Sequence, residues 1–88
     1  MSGNCTHKIK VNEDAFIDLV SGRKTFEVRD NDRLYQVGDI LEIATAGGRK
    51  CHATIKYVHS DYDLDYGFVV LGLGGVEEIK NINPNRLH

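Results

Sequence analysis

Proline occurs once in these 88 residues, serine three times, and the hydrophobic share is an ordinary 41%. A chain so poor in breakers and so regularly apolar is not a disordered linker, and its length sets it as a single domain. A folded monomer or small oligomer is expected. No apolar run approaches the roughly 18 residues that a membrane span requires, and Met1-Ser2-Gly3-Asn4 carries no apolar stretch of the secretion-signal type. A cytoplasmic protein without membrane contact is expected. Cys5 and Cys51 are the only cysteines, too few for a secreted disulfide scaffold, so reduced thiols are expected.

Excess positive charge is also missing. Net charge is −2, with six Lys or Arg against seven Asp or Glu in residues 1–40 and five against six in residues 41–88. Such a balance excludes a protein that coats nucleic acid through a basic surface all round. Any contact with nucleic acid must come from a local cluster.

The motifs of several reaction classes are absent too. There is no nucleophile elbow or phosphate loop, and Ser2, Ser21 and Ser60 have no catalytic context. Cys5, His7, Cys51 and His52 have zinc-binding atoms, but Cys-x-His and Cys-His do not wrap a tetrahedral ion. Asp61 to Gly67 opens like a calcium loop, yet Tyr66 stands where Gly is required and Gly72 where Glu is required. Gly72-Leu73-Gly74-Gly75 lacks the third glycine of a dinucleotide fingerprint. No metal or cofactor is implied.

What is present reads as strands around one helix. Thr6 to Val11 alternates polar and apolar residues, as a half-buried strand does. Asn12 then suits an N-cap, with Glu13 and Asp14 at the positive end of the dipole, Val11 and Phe16 as a hydrophobic staple, and Gly22 as a left-handed stop. This predicts a helix over 13–21 with Phe16, Leu19 and Val20 on its apolar face. Thr25 to Arg29 predicts a strand with Phe26 and Val28 on the packing face and Glu27 and Arg29 on the other. Ile40 to Ala44 and Lys50 to Val58 flank a Gly47-Gly48 hairpin turn, with Cys51, Ala53, Ile55 and Tyr57 on one face. Phe68 to Leu73 is nearly all apolar, as in a strand buried on both sides, and Gly74-Gly75 is expected to end it. Residues 81–88 read as a tail. The order predicts an α+β domain: a small mixed or antiparallel β-barrel with one helix between its first two strands.

Chemistry concentrates between Gly22 and Arg33. Lys24, Arg29 and Arg33 are donors suited to phosphate or carboxylate, while Glu27 can accept from the exocyclic amine of a base. The same residues suit a solvated face with cross-strand ion pairs. Strict alternation sets Lys24 apart from Glu27 and Arg29 unless the strand begins irregularly. His7 and Lys10 fall on opposite faces of the first strand, so at most one of them joins the cluster. A structural hydrogen bond is the simpler role for His7.

His7-x-Ile9-Lys10, Gly22-Arg23-Lys24-Thr25-Phe26-Glu27-Val28-Arg29, Asn31-Asp32-Arg33 and Val37-Gly38-Asp39 together resemble the signature of ASCH domains, in a short bacterial and phage branch of the PUA-like superfamily. The resemblance covers roughly residues 5–73. It implies a PUA-like β-barrel with a cleft lined by the Lys24-to-Arg29 strand, and RNA or a nucleotide-like small molecule as partner. Lys24, Glu27, Arg29, Arg33, His7 and Lys10 are the implied ligand-binding residues. One ASCH branch is similar to an amidohydrolase that deacetylates N4-acetylcytidine with a lysine, a threonine and a distal glutamate. Lys24 matches the lysine, Glu27 occupies the threonine position, and the distal glutamate has no counterpart. Were the chain an enzyme, Lys24 and Glu27 would be its catalytic pair. A phage accessory protein that docks another protein through a strand edge or residues 68–73 is a third expectation.

Overall fold

The computed structural model describes residues 4–60 and 67–79. Six elements follow one another: β1 (Thr6–Lys10), α1 (Glu13–Ser21), β2 (Phe26–Asp30), β3 (Ile40–Ala44), β4 (Lys50–His59) and β5 (Phe68–Ile79). The strands form a single sheet in the order β1-β3-β4-β5-β2, parallel between β1 and β3 and antiparallel elsewhere. It curls into a half-barrel around the core. The α+β class, the mixed sheet and the helix between the first two strands are as the sequence predicts. No helix among the described residues is long and apolar enough to cross a membrane.

Local chemistry fixes the helix. Asn12 Oδ1 accepts from the Ala15 amide at 2.7 Å, and Gly22 turns at φ 86° while its N–H donates to Leu19 O. Phe16 and Leu19 enter a core made with Ile9, Leu41, Ile43, Cys51, Ala53, Ile55, Val69, Leu71 and Leu73. Burial of each large side chain here contributes about 2 kcal/mol relative to exposure. Val11, the staple residue, packs against the same cluster.

Four expectations about the strands are overturned. In β2 the packing and charged faces are exchanged: Phe26 and Val28 are 44% and 47% exposed, whereas Glu27 is only 6% exposed. Pairing decides this, because Glu27 stands opposite Leu71, whose side chain belongs to the core. Tyr57 does not continue the buried row of Cys51, Ala53 and Ile55. A register shift between Ile55 and Tyr57 turns it outward to 58% exposure, as a bulge does by adding a residue to one strand. Finally, β5 does not stop at Gly74-Gly75 but runs to Ile79. Gly75 takes φ 60°, a conformation open to glycine at little cost, so the strand bends through it. Only one face of β5 is fully buried, through Val69, Leu71 and Leu73. The acidic stretch 61–66 and the tail 81–88 lie outside the described residues.

Both thiols are free, Cys5 exposed and Cys51 buried. Burial, with Glu78 adding to it, pushes the Cys51 thiol up to about 11. Since the thiolate is the reactive form, iodoacetamide is expected to label Cys5 alone in native buffer and both residues in denaturant, read by mass spectrometry. Native labelling of Cys51 at the rate of Cys5 would contradict its place in the core.

Candidate functional site

β1 and β2 are the two edges of the sheet, and its curl brings them together. Two guanidinium groups span the gap. Arg33 Nη1 donates to Lys8 O at 2.9 Å and Arg29 Nη1 to Lys10 O at 3.3 Å. β1 thus approaches β2 through side chains, since it takes its backbone partner from β3.

Beside this seam opens a cleft of about 450 Å³, lined by Lys8, Ile9, Lys10, Arg29, Arg33, Glu42, Ala44 and Lys50. Lys8 pairs with Glu42 and Lys10 with Ala44 in the β1–β3 register, so one face of these strands forms its wall. Five cationic side chains meet one carboxylate there. Glu42 is itself engaged, 3.8 Å from Lys50 Nζ and 3.5 Å from His52 Nε2. The excess of N–H donors with a positive field suits an anion bearing several oxygens.

Arg29 joins the cleft to a second group. Its Nη1 is 3.7 Å from Glu27 Oε2, while Lys24 Nζ is 3.4 Å from Glu27 Oε1. Lys24 precedes β2, where its amide donates to Asp18 O at 3.0 Å, and this irregular entry lets it reach the buried carboxylate. Glu27 Oε1 is buried and lacks a hydrogen-bond partner among the described residues. Such an atom is costly unless something else satisfies it.

His7 lies apart from both. Its Nε2 is 2.8 Å from Asp39 Oδ2, and its ring packs 4.8 Å from that of Tyr35. Asp39 also accepts from the backbone N–H groups of Cys5 and Gln36, both at 3.1 Å. The His7 hydrogen bond, helped by these amides and opposed by burial, holds Asp39 below its ordinary value of 3.8. This is an arrangement that ties the start of β1 to the turn before β3.

Of the sequence candidates, the structure therefore gathers Lys10, Arg29 and Arg33 in the cleft, sets Lys24 and Glu27 next to Arg29, and sends His7 to Asp39. Sequence reasoning missed Lys8, Lys50 and Glu42, because the parallel β1–β3 pairing that brings Lys8 and Lys10 beside the β3–β4 hairpin is not written in any local pattern. Among the described residues, no three metal-ligating side chains converge.

The family model for a domain of unknown function, DUF3850, matches residues 6–73. The chain belongs to the DUF3850 family. That match takes in β1 through the first half of β5, and so all the cleft and Glu27 residues of this DUF3850 domain. No curated protein matches the chain.

Proposed function

We propose that this DUF3850 domain is of the ASCH type, PUA-like, and recognises RNA or a nucleotide-like ligand. Lys10, Arg29 and Arg33, joined by Lys8 and Lys50, hold the anionic groups, Lys24 supports them from the edge, and Glu27 accepts from a base amine. The observation that carries this reading is the gathering of five cations around one cleft in a chain whose net charge is −2. The local cluster that nucleic-acid contact requires is then present without a basic surface.

The test is titration of labelled single-stranded RNAs and a nucleotide panel, monitored by anisotropy. If about three phosphates are neutralised, a single strand should lose roughly twentyfold in affinity between 50 and 200 mM salt. Lys10→Ala with Lys50→Ala should weaken binding several-fold and flatten that dependence. Absence of binding, or affinity indifferent to both salt and these lysines, would remove the reading.

Amide hydrolysis of a modified nucleoside is favoured by one observation, the 3.4 Å approach of Lys24 Nζ to Glu27 Oε1. Lys24 would then be the acid-base or activated amine and Glu27 the general base. Incubation with N4-acetylcytidine decides it: no deacetylation above buffer excludes this activity.

A further inference from the structure

The exchanged face of β2 leaves apolar and aromatic side chains on the outside of the sheet, where the core does not use them. Residues opposed in register share a face. Phe26 and Tyr57 both stand opposite Gly72, and Val28 and His59 both opposite Val70, so two rows cross β2, β5 and β4. A Cβ at Gly72 would lie 2.9 Å from Tyr57 Cβ. Glycine there lets the Tyr57 side chain settle directly over β5, in the space that a side chain at position 72 would take. The Tyr57 and His59 rings are within 7° of parallel at 6.2 Å. Lys24 Nζ sits 5.4 Å from the Phe26 ring centroid, and the stem of Lys56 covers Gly74.

We propose that this face is a stacking platform for the bases of single-stranded RNA whose phosphates run into the cationic cleft. The inference rests on the RNA reading of that cleft. Three observations select this occupant. Exposed flat rings offer π-faces at which any base can stack. Lys24 and Lys56 flank them, which favours a polyanion over a purely apolar partner. Val28 of the platform and Arg29 of the cleft are neighbours on opposite faces of the edge strand β2, so a strand of RNA passing round that edge touches both surfaces.

Comparing a short oligocytidylate with a strand of equal length and charge but abasic sites tests this. The base-bearing strand should bind about tenfold more tightly, as one stacked base supplies. Phe26→Ala and Tyr57→Ala should each erase most of that difference, whereas Tyr57→Phe should keep it, with unchanged circular dichroism in every variant. Equal affinity for both strands, or alanine variants that bind as wild type while Lys10→Ala with Lys50→Ala weakens binding, would overturn the platform and leave the cleft standing. Alanine variants that act while the lysine pair has no effect would support the platform and remove the cleft. A dimer dispersed by Tyr57→Ala in sedimentation would assign the face to a second copy of the chain and overturn the proposal.

Discussion

Asp39→Ala is expected to destabilise the domain by about 3 kcal/mol, the cost of removing one buried carboxylate to which three groups donate. Asp39 is only 2% exposed. Its removal strips the His7 ring and the amides of Cys5 and Gln36 of an acceptor at once. These contacts fix β1 beside β3 at the only parallel pairing among the described residues, so the loss falls on the edge that supplies Lys8 and Lys10. The same carboxylate gives acid sensitivity of definite sign. Because its pKa is held below 3.8 in the folded state, its contribution is fully present above that value and is lost as pH falls through the lowered one. Urea titrations from pH 6 to pH 2.5 should show this acid-side loss in the wild type and a shallower one in Asp39→Asn. Equal slopes, or an Asp39→Ala protein as stable as wild type, would mean that the network contributes nothing.

The features legible in the sequence are those set by neighbours in the chain. Asn12 and Gly22 bracket α1 at its observed bounds because capping is a local hydrogen-bond problem. The Thr45-to-Arg49 connection closes as the two glycines suggest, with Gly48 at φ 94°. Alternation also separates His7 from Lys10 correctly, since parity within a strand is local. Which parity faces the core is not local. Phe26 and Val28 are more apolar than Glu27 and Arg29, yet register with Leu71 and Val69 puts the charged pair inside. Only at a half-closed edge is this tolerable, for there the charges meet one another and the carbonyls of β1. Tyr57 and Gly75 were illegible for a related reason: each marks a register irregularity or a bend that depends on the partner strand. The cleft depends on the same pairing, which is why Arg29 and Arg33 are readable from a motif while Lys8, Lys50 and Glu42 require the partner strands.

Glu27→Leu is expected to separate stability from binding, weakening an amino-bearing nucleotide ligand by about 30-fold while leaving the fold as stable or more so. The wild-type side chain combines deep burial with an oxygen that no donor among the described residues satisfies. Its ionic neighbours, at 3.4 and 3.7 Å, offset desolvation only in part. Leucine removes that cost and adds apolar contact at the position opposite Leu71. The cations released by the change keep access to water, for the side chains of Lys24 and Arg29 are each 29% exposed. Arg29 also retains Lys10 O. A ligand amine would lose a hydrogen bond to a charged acceptor, which is generally worth about 1.5–3 kcal/mol. Glu27→Gln keeps an acceptor without the charge and should fall between. The loss should be large for a cytosine ligand and small for a uracil one, because only the former presents an amine to the carboxylate. A Glu27→Leu protein that unfolds several kcal/mol more easily, or that binds cytosine as wild type does, would instead make Glu27 the structural centre of an ion cluster. A loss equal for both bases would remove amine recognition while leaving the cationic cleft to be judged by its lysines.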